Sequence, residues 1–241
     1  MSDSREVMLG RIRAALAGED ALPDVPRAYR EHGSRSSGEV VALFVERLEE
    51  TGAVVVRTGD AGLAVGVALR EQGAARVVVS PDLPDAVTPA EVELIEDRGL
   101  SPAELDGLDG ALTTCAAACA ETGTIAFDGG EGQGRRAIAL VPDLHVCVVR
   151  EEQVVETVPE LIARLAPSAR DGRPIVLVSG PSATSDIELE RVEGVHGPRR
   201  LVVVLVGEAG RGGAGALRPG GRAVPDHVLA DVSRDGQGRG P

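Results

Sequence analysis

The first half of the chain alternates between stretches with helical spacing of apolar residues and short continuous apolar runs. Helical spacing is found in residues 4–17, 40–50 and 61–71, and apolar runs occupy residues 53–57 and 76–80. Strands of a parallel sheet covered on both faces are apolar throughout. The alternation therefore predicts an α/β fold with a largely parallel sheet and helices on both faces.

Three capping boxes predict where helices begin. Thr88-Pro89-Ala90-Glu91 and Ser101-Pro102-Ala103-Glu104 each combine the box with Pro at the first helical position, so each predicts a short helix. A third box, Thr157 to Glu160, lies within residues 151–165, where it breaks or restarts a predicted helix.

Between residues 108 and 149 short apolar segments are separated by turns, which predicts a more antiparallel or mixed part of the sheet. The segments are residues 111–114, 124–127, 137–141 and 144–149. Two further apolar strands are predicted at residues 175–178 and 201–206.

The glycine-rich segment 129–134 invites a dinucleotide-binding interpretation, which we reject. That fingerprint needs a strand before the glycines and a helix directly after them. Because residues 137–141 read as a strand, the segment is predicted to be a flexible hairpin connection.

These elements predict three regions along the chain. Residues 1–38 form an N-terminal helix and a linker, and residues 39–207 form the α/β domain. Residues 208–241, rich in Gly, Arg and Pro, form a disordered tail.

Composition excludes several functions. The net charge of −13 and the near absence of aromatic residues, with no Trp, argue against nucleic acid as a partner. All 25 basic residues are Arg, so Schiff-base chemistry and a phosphate-loop Lys are excluded. No apolar run reaches the roughly 18 residues of a membrane span, and the N-terminus does not resemble a signal peptide. We therefore expect a cytoplasmic protein.

The three cysteines, Cys115, Cys119 and Cys147, contain no C-x-x-C pair. On a helix Cys115 and Cys119 would share a face, and we interpret them as small packing residues in preference to metal ligands. Since an iron–sulfur cluster normally needs four thiolates, we expect no intrinsic iron, and no flavin either.

Most of the candidate catalytic and binding residues lie in two polar turns. In the first, Glu121 supplies a carboxylate, and Thr122, Gly123 and Thr124 supply hydroxyls and backbone N–H groups at a strand entrance. The second turn, residues 179–188, has four hydroxyls within seven residues and is either a cradle for an oxyanion or the N-cap of a short helix. Its candidate binding residues are Gly180, Ser182, Thr184 and Asp186.

Two histidines complete the candidates. His145 lies inside an apolar strand and is interpreted as structural, whereas His196, in a turn before Gly197-Pro198, is a candidate catalytic residue. Because open α/β folds place their sites beyond the carboxyl ends of strands, we predict that the two turns face each other at one end of the sheet. There Glu121, Thr124, Ser182, Thr184 and His196 should line one pocket. The pocket should bind a small carboxylate or phosphate.

Four segments together resemble the LUD-domain family. They are residues 120–124 (AETGT), residues 140–149 (LVPDLHVCVV), residues 179–188 (SGPSATSDIE) and residues 194–198 (GVHGP). The resemblance extends from the N-terminal helix to about residue 206. It implies a Rossmann-like sheet similar to that of ribose-5-phosphate isomerases and CoA-transferases.

The resemblance also implies a role in oxidising L-lactate to pyruvate together with two iron–sulfur partner proteins. The clusters would lie on those partners, because this chain lacks cluster-binding cysteines. The alternative is a free-standing enzyme that acts on a small acid, thioester or sugar phosphate, with Glu121 as base or nucleophile. Purely regulatory binding is a third possibility.

Overall fold

The computed structural model describes residues 2–16, 27–184, 192–193 and 197–207. It contains two compact units, Met1–Arg30 and Glu31–Pro241. The described residues of the first unit form α1 (Ser2–Leu16), which confirms the predicted N-terminal helix. The predicted tail at residues 208–241 lies outside the described residues.

The second unit alternates helices and strands as the sequence predicts. In chain order its elements are α2 (Ser37–Glu50), β1 (Val54–Thr58), α3 (Ala61–Glu71), β2 (Arg76–Val79), β3 (Glu93–Glu96), α4 (Pro102–Asp106), β4 (Gly110–Thr113), β5 (Ala117–Cys119), β6 (Thr124–Phe127), β7 (Leu144–Arg150), β8 (Val154–Val155), α5 (Val158–Arg170), β9 (Val176–Val178), β10 (Ala183–Thr184), β11 (Val192–Glu193) and β12 (Arg200–Val206).

Six strands form a central sheet in the order β1-β12-β7-β4-β2-β3, and every neighbouring pair is parallel. Alternate residues of β7 and β12 point to opposite faces. Val146 and Val204 pack with Leu69 of α3 on one face, and Cys147 and Val203 belong to the core cluster on the other. These two central strands are almost wholly apolar because both of their faces are covered. The predicted parallel α/β fold is confirmed.

A second sheet, in the order β8-β5-β6-β9, packs beside α2 on one face of the central sheet. Its pairs β5–β6 and β6–β9 are antiparallel, which confirms the predicted change of character. Leu161 and Leu165 of α5 cover the other face of this small sheet. The strands β10 and β11 form a separate antiparallel pair.

The box at Thr88 does not begin a helix, and the prediction there is wrong. Thr88 instead ends a 3₁₀ turn, Asp85–Val87, and its hydroxyl donates to the carbonyl of Pro84. The carboxylate of Glu91 accepts a hydrogen bond from Arg70 at 2.7 Å, so it does not close a box. The boxes at Ser101 and Thr157 both form as predicted, at the starts of α4 and α5.

Two other predicted elements are absent from the described part of the chain. Residues 137–141 form turns closed by hydrogen bonds from the N–H groups of Leu140 and Val141 to the carbonyl of Ala137. They are not a strand, so residues 129–134 are not a hairpin connection. Residues 151–155 form a 3₁₀ turn and the strand β8 where a helix was predicted.

Part of the predicted linker is bonded to the body of the domain. The backbone N–H of Arg35 donates to Glu156 at 2.8 Å, and its guanidinium donates to the same carboxylate at 2.7 Å. The N–H of Gly33 donates to Glu160 at 3.2 Å. Among the described residues, no helix has the length and apolar character needed to cross a membrane.

Candidate functional site

The first polar turn connects β5 to β6 and lies against the end of α2. Gly123 in this turn has a backbone φ of +59°, a conformation that residues other than Gly adopt only at a cost in free energy. A Cβ at this position would lie 3.0 Å from the Cβ of Arg47 and 3.1 Å from its carbonyl carbon. Gly is therefore favoured both by the backbone conformation and by the close approach to α2.

A row of three hydroxyls joins this turn to the second one. The hydroxyl of Thr124, which is buried, lies 2.7 Å from that of Thr122 and 2.7 Å from that of Ser179. The row forms because β6 pairs with β9, with Ile125 opposite Val178, so the turn residues before β6 and after β9 are adjacent. The two predicted turns therefore meet.

The hydroxyl that joins the second turn to the first belongs to Ser179, which was not among the predicted binding residues. Its signal in the sequence was its position directly after an apolar strand. The predicted Ser182 is held differently, since its backbone N–H donates to the carbonyl of Pro198 at 2.8 Å.

Gly180 fixes the path of the second turn. It has φ of +101°, and a Cβ here would lie 2.4 Å from the hydroxyl oxygen of Thr51, at the end of α2. Both turns therefore depend on a Gly that packs against the same helix end. Thr184 lies in β10, opposite Val192. Asp186 and His196 lie outside the described residues.

Glu121 is half-buried at the start of the first turn. Its backbone N–H donates to the carbonyl of Glu156 at 3.1 Å, which attaches the turn to the end of β8. Glu121 directly precedes Thr122 of the hydroxyl row in the chain, and its role as acid or base stays a prediction. The five-residue pocket stays a prediction, because two of its members, Thr184 and His196, have no described side chain.

Three hydroxyls in a row can offer one donor to a ligand. Each hydroxyl carries one proton, and the two internal hydrogen bonds use two of the three. The end residues Thr122 and Ser179 are exposed, so the remaining O–H is accessible from solvent. This geometry suits an oxygen of a carboxylate or phosphate.

His145 is a packing residue, as predicted. It is 1% exposed in β7, and its Nε2 lies 2.8 Å from the hydroxyl of Thr113. Its ring centroid is 5.4 Å from that of Phe127. Burial lowers the pKa of His145 to about 4, so the imidazole is neutral near pH 7.

All three cysteines are buried free thiols, which agrees with their interpretation as packing residues. Cys119 lies in β5 and Cys115 just precedes it, so the two do not share the face of a helix. Burial raises the pKa of Cys147 well above its ordinary value, so this thiol stays protonated.

The fold and the paired turns define an α/β protein in which a six-stranded parallel sheet carries a small, mainly antiparallel sheet on one face. The model of the LUD domain family matches residues 41–206. This match includes more than half of the chain, and the chain belongs to the LUD domain family.

Proteins of similar sequence or structure match most of the length of this chain. A lactate utilization protein C of Deinococcus radiodurans is 44% identical over 207 residues, which cover 86% of this chain and 97% of that protein. A lactate utilization protein C of Bacillus velezensis is 23% identical over 85% of this chain and 96% of its own length. The crystal structure of a DUF162 family protein from D. radiodurans superimposes with a TM-score of 0.61 at 39% identity, covering 72% of this chain and all of that one.

Proposed function

We propose that this chain is a component of a lactate-utilization system that oxidises L-lactate to pyruvate together with iron–sulfur partner proteins. The observation that carries the proposal is the 44% identity to a lactate utilization protein C over 97% of that relative's length. Identity at this level over a whole chain supports a shared role, where a match to one segment would support only a shared fold.

The proposed binding site is the hydroxyl row Thr122–Thr124–Ser179 together with the backbone of Gly123 and Gly180. Its one available hydroxyl proton would be donated to an oxygen of the substrate carboxylate. The net charge of −13 does not attract anions, so local donors must supply the affinity. The predicted binding residues Ser182, Thr184 and Asp186 follow in the same chain segment and would extend this site.

Glu121 is the proposed acid or base, with His196 as the second candidate. Oxidation of lactate removes two electrons and two protons, one of them from the hydroxyl at C2. In this proposal the carboxylate of Glu121, which precedes Thr122 of the row in the chain, accepts that proton. The chain has no Lys, and the neutral His145 is packed in the core, which leaves Glu121 as the first candidate.

Electron transfer is assigned to the partner proteins. The three thiols lie in the apolar core and are one short of the four thiolates of an ordinary cluster, so these residues do not fit an iron–sulfur centre. No electron-transfer step is therefore assigned to this chain.

Growth on L-lactate tests the proposal. Deletion of the gene, in a strain without another route for lactate oxidation, should abolish growth on L-lactate and leave growth on glucose unchanged. Complementation with the Glu121→Gln variant should restore little growth, because general acid–base catalysis contributes about 100- to 10,000-fold to a rate. Glu71→Gln, the same change at an exposed position in α3, should restore growth fully.

Three results would separate the parts of the proposal. Full growth of the Glu121→Gln strain, with the protein folded and abundant, would contradict the catalytic role of this residue. Turnover of a small acid or thioester by the purified chain alone would favour a free-standing enzyme, and normal growth of the deletion strain would contradict the function itself.

A further inference from the structure

A cavity of about 520 Å³ lies at the end of β6, away from the two polar turns. Thr124 of the hydroxyl row begins β6, whereas the cavity is lined from Phe127, the last residue of that strand, onward. Three guanidinium groups line it: Arg135, Arg136 and Arg173. Volumes of about 300–1,000 Å³ are typical of small-molecule sites.

The glycine-rich turn that borders the cavity is held by buried hydrogen bonds. The carboxylate of Asp128 accepts from the N–H of Gly130 at 3.0 Å and from the side-chain amide of Gln133 at 3.1 Å. In return, the amide oxygen of Gln133 accepts the N–H of Asp128 at 2.8 Å. Both side chains are buried, so this wall of the cavity exists before any ligand binds.

Two of the three guanidinium groups are held by carboxylates. Arg135 pairs with the buried side chain of Asp97, and Arg173 pairs with Asp128 at 2.9 Å. Each Arg side chain still exposes more than 40% of its surface, so an outer edge of each remains accessible. These ion pairs hold the guanidinium groups of Arg135 and Arg173 in place. Because each is paired with a carboxylate, the two contribute little net positive charge to the cavity.

Arg136 supplies the net positive charge. It is exposed, and within the described part of the chain it makes no ion pair or hydrogen bond. An unpaired cation at the edge of a preformed cavity favours an anionic ligand.

The remaining lining is mostly apolar and includes Phe127, Ala139, Pro174 and Val176. Inorganic phosphate or another fully polar ion would leave this wall without a partner. A ligand with an anionic group at one end and a short apolar body fits both parts of the cavity.

We propose that this cavity binds an organic anion, with its carboxylate or phosphate group on Arg136 beside Arg135 and Arg173 and its apolar part against Phe127 and Val176. The site is separate from the hydroxyl row, and the proposal does not rest on the role in lactate utilization.

Calorimetric titration of the full chain with four probes tests the proposal: hexanoate, hexyl phosphate, inorganic phosphate and 1-hexanol. We expect saturable binding of hexanoate or hexyl phosphate, and the tighter of the two identifies the preferred anionic group. Inorganic phosphate, which lacks the apolar part, and hexanol, which lacks the charge, should each bind at least about tenfold more weakly.

The Arg136→Gln variant should bind the better probe about tenfold more weakly than the wild type. The exposed side chain makes no ion pair or hydrogen bond within the described part of the chain, so the variant should fold, as circular dichroism can verify. Arg170→Gln removes the same charge from an exposed position at the end of α5 and should bind within about twofold of the wild type.

Three results would overturn the proposal. These are equal affinity of Arg136→Gln and the wild type, binding of hexanol as tight as that of the anions, and no saturation by any probe up to about 10 mM.

Discussion

Replacing Asp128 by Asn should destabilise the protein by about 2 kcal/mol. The carboxylate of Asp128 accepts hydrogen bonds from four groups: the N–H of Gly130, the amide of Gln133, the hydroxyl of Ser168 and the guanidinium of Arg173. Asn keeps one acceptor oxygen but places an NH₂ group where the second oxygen was.

The size of this destabilisation depends on whether each of the four donors still finds a hydrogen-bond partner in the Asn variant. The hydroxyl of Ser168 can rotate and accept, whereas the guanidinium of Arg173 can only donate, so it loses the carboxylate and keeps its hydrogen bond to Ser168. Breaking a fully buried ion pair costs about 3–5 kcal/mol. The Arg173 side chain is 42% exposed and can be hydrated, which lowers the expected cost to about 2 kcal/mol.

The effect should also depend on pH. Burial alone would raise the pKa of Asp128, but the hydrogen bond from Ser168 and the charge of Arg173, among others, lower it overall. A lowered pKa stabilises the fold above the unfolded value of about 3.9, and this stabilisation is lost as the pH falls through the folded pKa. The difference between wild type and Asp128→Asn should therefore be complete at neutral pH and shrink below about pH 4.

Urea unfolding followed by far-ultraviolet circular dichroism measures the effect, because the chain has no Trp and only one Tyr for fluorescence. Asp106→Asn, the same change at an exposed position in α4, is the control and should change stability by less than about 0.5 kcal/mol. A loss in Asp128→Asn no larger than in this control, or a loss that is the same at every pH, would refute the reasoning.

Two further predictions concern the core and the second turn. Since burial lowers the pKa of His145 to about 4, stability should fall by up to about 1.4 kcal/mol per pH unit from pH 6.5 towards pH 4, and His145→Gln should remove this contribution. An equal pH dependence of both proteins in urea unfolding would contradict it. Gly180→Ala should cost more than about 2 kcal/mol, because strain at a φ of +101° is joined by a clash with Thr51. Gly99 has a φ of +106°, and a Cβ there would have no atom within 4 Å, so Gly99→Ala should cost only about 1 kcal/mol. Equal losses of stability in Gly180→Ala and Gly99→Ala would show that the structure relieves the clash with Thr51.

The parallel sheet could be predicted from the sequence because its central strands are apolar on both faces, a property that each segment carries alone. The predicted bounds of α3 match the structure residue for residue. The two Pro-containing capping boxes show the limit of such local signals. Ser101 begins a helix, but at Thr88 the Glu of the box instead contacts Arg70, on a helix about twenty residues earlier. A contact between distant segments therefore overrides the local motif.

The turn at residues 137–141 was missed for a related reason. A run of five apolar residues suits a strand or a helical turn equally, and only packing decides between them. Ile138 is fully buried in a cluster with Leu105 of α4 and Val78 of β2. The glycine-rich segment that lines the anion cavity therefore leads into a packed turn and not into a strand.

The arrangement of the two turns in the candidate site could be predicted only in part from the sequence. Both polar turns could be recognised from their Gly and hydroxyl residues, and their proximity was predicted from the rule that sites lie beyond the carboxyl ends of parallel strands. The actual cause is the antiparallel pairing of β6 with β9, whose partners are about 50 residues apart in the chain. No periodicity in the sequence specifies which strands pair, so the contact of Thr124 with Ser179 could not be predicted.

Pyruvate formation in cell extract tests the central claim most directly. Extract of the deletion strain, supplied with isotopically labelled L-lactate, should form little labelled pyruvate until the purified chain is added. Addition of the wild-type chain should restore the rate, and the Glu121→Gln chain should restore at most about one hundredth of it. Undiminished pyruvate formation in the deletion extract without any added chain would contradict a role in lactate oxidation.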